Sequence, residues 1–282
     1  MNDKEEKKGA GHRLGFFVLF LLCGSLVFII RNFLHDDLLL AYLIGISVVF
    51  FVLSIYTRRI ERLKHYFPVL FAFFIASFVS VLDDASRLLH WSSGTTIEGT
   101  VLGILVSTVL IVVPIILLSK LSGLGPYALY LQRGRLWVGL GIGLGIFFII
   151  LELLIISPQG ASTLFPVNPN LTTEKAISLM PWVVVFVLLN GLREEVWFRG
   201  LFLQKYQGFL GNGGANFLQA IIFSLAHISV QYTPMLLAFL LITFFLGLLW
   251  GFLIQKTNSL LIAILFHAAM DIPVILGIFS NL

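Results

Sequence analysis

Residues 136–156 read LWVGLGIGLGIFFIILELLII, an apolar run broken only by the charge of Glu152. A helix needs about 20 such residues to cross the hydrocarbon core of a bilayer. The pattern recurs along the chain. Further runs lie at roughly 14–30, 38–57, 67–82, 100–118, 178–203, 215–232, 234–254 and 259–279, with the charges clustered between them. Of 282 residues, 59% are hydrophobic and 11% charged, where soluble domains carry about a quarter charged. The mean hydropathy is +1.01, and such a chain could not cover its own surface with polar groups in water. The runs do not alternate as the strands of a membrane barrel do, and a backbone in hydrocarbon must satisfy its own hydrogen bonds. The expected fold is all-α, a polytopic transmembrane helix bundle of about 8–9 spans.

Lys and Arg set the expected orientation. The N-terminal head carries Lys4, Lys7, Lys8 and Arg13, the second linker Arg58, Arg59, Arg62 and Lys64, and the fourth Lys120, Arg133 and Arg135. Between them, the first linker has Asp36 and Asp37 with Arg31, and the third has Asp83, Asp84 and Glu98 with Arg87. This alternation puts the N-terminus in the cytoplasm of a multi-pass protein of the cell membrane. Nine spans would then leave the C-terminus outside. The net charge of +4 is explained by these flanks, so nucleic acid is not an expected partner. The first run follows a basic head but lacks a small-x-small cleavage site, so it reads as an uncleaved span. The single cysteine, Cys23, allows no disulfide within the chain and reads as a small buried hydrophobe.

Residues 1–160 are expected to supply N-terminal spans of unknown role, with a second region over 176–282. In span five, Gly139, Gly141, Gly143 and Gly145 include two Gly-x-x-x-Gly pairs, which suit close helix approach. Glu152 is a lone acid near the end of that span. The stretch 157–175, with Pro158, Pro166, Pro169 and Asn170, reads as an extracytoplasmic connector.

The chemistry begins in span six. Val183 to Leu189 runs into Arg193-Glu194-Glu195-Val196-Trp197-Phe198-Arg199, apolar residues resume at Leu201, and Lys205 marks the expected cytoplasmic boundary. A charge near mid-bilayer costs about 2.5–3.5 kcal/mol on insertion scales, so residues there usually face a cavity and act. Glu195 and Arg199 are four apart and can pair on one face. Glu194 has Phe198 rather than a cation four residues later and is the acid left to act on water. The bland reading is an interfacial charge cluster at a helix end. Against it stand His227 in span seven, and His267 with Asp271 four residues later in span nine, at comparable depth. Glu194, Glu195, Arg199, His227, His267 and Asp271 therefore form one candidate site. A carboxylate beside an imidazole can hold a water and take its proton, and a second imidazole can stabilise an oxyanion. The same set, chiefly Glu194, His227 and His267, could instead bind a divalent metal such as zinc. Ser224 lies near His227, but no motif supports a triad around it.

Glu-Glu-x-x-x-Arg (194, 195, 199), Phe-x-x-x-His (223, 227) and His-x-x-x-Asp (267, 271), in this order, resemble the CAAX-prenyl-endopeptidase and bacteriocin-processing family. Gly247 to Gly251 and Thr257 to Leu260 look like that family's connecting helix and turn. The resemblance covers roughly 178–279. It implies an intramembrane endopeptidase in which Glu194, with His227, deprotonates the attacking water, Glu195 and Arg199 hold the arrangement, and His267 and residue 271 face the oxyanion. Here that residue is Asp271, where well-described CAAX proteases have Asn, and an ionised Asp cannot donate a hydrogen bond. The implied partners are the lipid bilayer and a membrane-associated protein or peptide substrate. Two other classes use buried Glu, His and Asp or keep the same fold: a proton-coupled transporter, and a catalytically silent immunity or scaffold protein.

Overall fold

The computed structural model describes residues 3–88, 95–123, 125–157 and 167–282, with the side chains of residues 3–10 and Leu136 outside the description. Lys4, Lys7 and Lys8 of the basic head, and Pro158 and Pro166 of the connector, therefore lie outside the described side chains or residues. The described chain is helical, with no strand among the described residues. The helices are α1 (Asp3–Gly24), α2 (Asp36–Arg59), α3 (Phe67–Leu88), α4 (Ile97–Leu121), α5 (Leu136–Ile156), α6 (Thr173–Glu194), α7 (Leu201–Ala226), α8 (Leu236–Thr257) and α9 (Leu261–Ser280). A π-helical turn, Ser25–Ile29, and a 3-10 turn, Ile30–Phe33, extend α1, and a second π-helical turn, Glu195–Gly200, joins α6 to α7.

Among the described residues, eight helical segments are long and apolar enough to cross a membrane. The longest, Thr173–Ala226, contains both spans expected at 178–203 and 215–232. It does not run straight. Gly211 has φ +70° and ψ 176°, a left-handed setting open to glycine because it has no Cβ. Straight helix from Glu194 to His227 would separate them by about 50 Å, yet Glu194 Oε2 lies 3.6 Å from His227 Nε2. The chain thus doubles back at Gly211. α7 then ends at Ala226 rather than near 232, and residues 227–235 form an irregular connection that includes Pro234.

Several charges expected in the first and third linkers turn out to lie within helices. Asp36 and Asp37 form the first turn of α2, where carboxylates suit the helix dipole. Asp83, Asp84 and Arg87 lie within the last turns of α3, and both acids are buried. Asp84 takes a two-pronged hydrogen bond from Arg31 (2.8 and 3.0 Å), and Asp83 takes one from Arg87 (2.9 Å). Lys205 does not mark a boundary either. It is buried, donating to the Ala128 carbonyl at 3.1 Å, and α7 continues beyond it. The polar end of a buried lysine must find an acceptor, and here it ties the 126–129 turn to α7.

The core has two apolar clusters. One joins α1, α3, the second π turn and α7 through Phe20, Phe28, Phe73, Phe198, Phe202 and Tyr206. The other joins α5, α6 and α9 through Phe147, Val183, Val187, Ile272 and Phe279. Outward faces remain apolar, as at Val48, Leu102, Val109, Phe148, Phe245 and Phe252. That surface is suited to lipid, and the protein is a multi-pass membrane protein. Cys23 is half-buried and unbonded to sulfur.

α9 is the element around which α5 and α6 pack, and small residues permit the approach. A Cβ on Gly143 would come 2.8 Å from Leu265 Cβ, and one on Gly139 3.6 Å from Ile262 Cβ, while Gly141 and Gly145 face open space. The glycine row of span five is thus a packing face. A Cβ on Gly191 of α6 would meet the Ile264 carbonyl oxygen at 2.9 Å and the Ala268 nitrogen at 3.3 Å. Gly191→Ala must push backbone apart and should cost about 1–3 kcal/mol. Gly145→Ala meets nothing and should be neutral or stabilising, because alanine is the better helix former. Thermal unfolding of both purified variants in detergent checks this, and equal midpoints would contradict the packing account.

Candidate active site

The six candidate residues meet in one place. Glu194 ends α6, Glu195 and Arg199 lie in the π turn that follows, His227 caps α7, and His267 and Asp271 lie on α9. A π turn is one residue looser than an α turn and recurs at functional sites.

Glu195 and Arg199 form the innermost pair. Arg199 Nη1 donates to Glu195 Oε1 at 2.8 Å, and both side chains are fully buried. The guanidinium lies over the Phe223 ring, 3.8 Å from its centroid, with Trp250 at 5.2 Å on another side. Gly247 leaves room for it, since a Cβ there would sit 3.1 Å from Arg199 Nη2. Aromatic faces stabilise a desolvated guanidinium, which helps offset the cost of burying it. Glu195 Oε1 also lies 2.8 Å from His267 Nδ1. A carboxylate accepts, so Nδ1 carries the proton and Nε2 is turned the other way. Trp250 stacks on His267, with centroids 4.3 Å apart and planes 14° from parallel.

His227 is oriented by its backbone. Its Nδ1 lies 2.8 Å from the Phe223 carbonyl oxygen, to which it must donate. Nε2 again faces the centre. Both Nε2 atoms lie 3.6 Å from the same oxygen, Glu194 Oε2. That oxygen is buried and takes no hydrogen bond among the described residues. Asp271 Oδ2 is 3.6 Å from His267 Nε2, too far for a hydrogen bond.

Glu194 is not free of cations, as the absence of one four residues on had suggested. Its own neighbour, Arg193, donates from Nη2 to Oε1 at 3.0 Å. Arg193 belongs to a support that motif reading missed. Nη2 also donates to Asn190 Oδ1 (2.7 Å), Nη1 donates to Ser107 Oγ of α4 (3.0 Å), and Asn190 Nδ2 donates to Asp271 Oδ2 (2.8 Å). Asn190 lies four residues before Glu194 on the helix, a spacing that could have flagged it. Nothing in the sequence points to Ser107. Trp250 belonged to a recognised stretch, but its stacking role needs the tertiary structure. Ser224 is committed elsewhere, its hydroxyl donating to the Leu240 carbonyl at 2.7 Å.

The site opens into a cavity of about 930 Å³ whose walls are mainly apolar, including Phe186, Ile242, Leu246, Met270 and Val274. Tyr232, in the 227–235 connection, also lines it and packs edge-on against Phe239. Burial first, then the charges of Asp271 and Glu194, push its phenol up from the ordinary value, so it remains a neutral hydrogen-bond donor.

Residues 176–273 match the family described as Type II CAAX prenyl endopeptidase Rce1-like. Over this segment the chain is similar to the CAAX-type membrane proteases. No curated protein and no solved structure matches the chain. The matched family is one of endopeptidases, hence hydrolases. The match takes in every candidate residue, as well as Gly191, Asn190 and Trp250, and leaves out the first five spans.

Metal binding can be tested on the donors. Zinc would need its ligands at about 2.0–2.2 Å around one point. Among the described residues, no group of three or more His, Cys, Asp or Glu side chains is arranged to hold a metal ion. Glu194 also already shares its carboxylate with Arg193. The arrangement does not fit a metal.

The buried pair can be tested on stability. Glu195→Gln removes the charge that partners Arg199 and should cost about 3–5 kcal/mol. The double variant Glu195→Gln/Arg199→Met should recover part of that loss, because no buried charge is then left alone. Denaturant unfolding of both would show it, and strictly additive losses would rule out the coupling.

Proposed function

We propose that this protein is an intramembrane endopeptidase in which a glutamate-activated water attacks a peptide bond of a membrane-associated protein or peptide. The observation that carries the reading is the unpartnered, buried Oε2 of Glu194, set 3.6 Å from two imidazole nitrogens at the edge of a mainly apolar cavity. A water between Glu194 Oε2 and His227 Nε2 gives up a proton to the carboxylate. The hydroxide so formed adds to the scissile carbonyl, whose oxygen takes the negative charge. His267, in its imidazolium form, donates through Nε2 to that oxyanion, and the Tyr232 phenol is a second neutral donor on the same cavity. The proton held by Glu194 then passes to the departing amine as the carbon–nitrogen bond breaks, which restores the carboxylate.

Arg193 and Asn190 fix Glu194 and Asp271. Glu195 and Arg199 fix His267. Asp271 accepts from Asn190, so its role is to hold the wall beside His267 rather than to donate. The basic last turns of α2 and α4, with Arg133 and Arg135 before α5, support a cytoplasmic N-terminus.

The test compares new protein N-termini in membranes of cells carrying the wild-type chain or Glu194→Gln at equal abundance. N-termini present only with the wild type support the proposal and name the substrate. Identical sets, with both proteins folded, would refute it. Glu194→Gln keeps the side chain's shape and removes its basicity, so cleavage should fall by about 10² to 10⁴-fold. Purified, active protein should hold no stoichiometric zinc, and activity that tracked metal content and vanished in His227→Ala would replace the water mechanism with a metal one.

A further inference from the structure

The turn that ends α1 touches both halves of the candidate site. Asn32 Nδ2 donates to the carbonyl oxygen of Ala226 (3.3 Å) and to that of Phe28 (3.2 Å). Asn32 Oδ1 accepts from Ser229 Oγ (2.9 Å). Ala226 and Ser229 flank His227, so one side chain holds the backbone carbonyl before that imidazole and a side-chain hydroxyl after it. Four residues earlier, the Phe28 ring lies against Phe198, Trp197 and Phe202, at centroid distances of 4.6, 5.5 and 5.8 Å. Trp197 and Phe198 belong to the π turn that carries Glu195 and Arg199. The turn is itself anchored, because Arg31 is bonded twice to Asp84 of α3.

His227 needs such a hold. It caps α7 and begins an irregular connection, and among the described residues its ring's hydrogen bond runs to the carbonyl one turn back. The segment after a helix end is free to fray unless something outside the helix fixes it. The α1 turn is the outside element that bonds to it on both sides.

We propose that Asn32 is a positioning residue. With Phe28 seated on the π turn, it forms a clasp from the N-terminal region that sets the separation of His227 from Glu194. The clasp deepens the endopeptidase reading and uses a region outside the family match. Its effect on kinetics rests on that reading, while its effect on His227 does not.

The experiment uses the full-length protein in detergent or nanodiscs, with wild type, Asn32→Ala and Ser229→Ala compared in two ways. The first is the cleavage kinetics of the identified substrate. A misplacement near 1 Å can cost on the order of 10²-fold in rate. Asn32→Ala should therefore lower kcat by roughly 10- to 100-fold with KM little changed, and Ser229→Ala should lower it less. The second reads histidine ring nitrogens by ¹⁵N NMR. In Asn32→Ala the His227 resonances should shift or broaden, while those of His267 stay in place. An unchanged His227 signal in Asn32→Ala refutes the clasp whether or not the protein cleaves anything. A raised KM at constant kcat refutes it in favour of a substrate contact. Moved His227 resonances in a protein that cleaves nothing would support the clasp and refute the endopeptidase reading. If Asn32→Ala does not fold, Ser229→Ala decides, since it removes one bond from an exposed hydroxyl, and unmoved His227 resonances there refute the clasp.

Discussion

The buried pair of Glu195 and Arg199 is the interaction on which the rest of the site depends. Neither group touches solvent or lipid. Stripping water from two such ions costs several kcal/mol each, more than their mutual attraction alone returns in most buried pairs. The surroundings supply what the pair lacks. Phe223 and Trp250 present ring faces to the guanidinium, His267 Nδ1 donates to the carboxylate, and Gly247 gives up its side chain to make room. The return on that arrangement is orientation. With Nδ1 engaged by Glu195 and the ring clamped against Trp250, His267 can point Nε2 only toward Glu194 and Asp271. A charge pair that adds little to net stability thus decides which nitrogen of His267 faces Glu194.

Much of the fold was legible because hydrophobic run length in a bilayer has few readings. The spans at 38–57, 100–118, 136–156, 234–254 and 259–279 correspond to α2, α4, α5, α8 and α9. The six candidate residues, which the structure brings together, stood out too, because charges inside apolar helices are costly enough to be conspicuous. The misplacements have a common cause. Asp83, Asp84 and Lys205 were taken to mark helix ends, on the assumption that charge means the membrane boundary. In the structure each is itself buried and has a polar partner, and a paired charge does not report depth. Gly211 sits in a glycine-rich stretch, so its neighbourhood invited a break, but only its positive φ tells a reversal from a loop. Ser107 and Asn32 were out of reach. Their partners lie 86 residues away (Arg193) and as many as 197 (Ser229), and a hydroxyl or amide in a helix looks the same whether it faces lipid or the candidate site.

The family match and the packing divide the chain differently. Similarity stops at residue 176, whereas the larger apolar cluster runs without a gap from Phe20 and Phe28 through Phe73 to Trp197 and Phe202. α1 and α3 are therefore part of the wall behind the π turn. A loosely wound turn carrying two ionised groups has little stability of its own, since its hydrogen bonds are poorer than those of an α-helix. The aromatic layer from the N-terminal spans holds it from behind, and α8, through Gly247 and Trp250, holds it from the front. The matched segment carries the chemical groups, and the unmatched helices supply much of the rigidity those groups need.

Asp271 illustrates how one side chain redistributes roles across the site. An asparagine there could offer a proton to an oxyanion, but an ionised aspartate only accepts. Another group must then supply the donor to Asp271, and Asn190 does so. Asn190 can keep that orientation only if its own carbonyl is satisfied, which Arg193 achieves at 2.7 Å. Arg193 in turn reaches Glu194 Oε1 with the same nitrogen and leaves Oε2 as the unclaimed oxygen. The chain of hydrogen bonds from Asp271 through Asn190 and Arg193 to Glu194 thus couples the residue that departs from the family pattern to the carboxylate proposed as base. Under the proposed mechanism, oxyanion donation falls to His267 and Tyr232, and the acid at 271 contributes by fixing which oxygen of Glu194 meets the water.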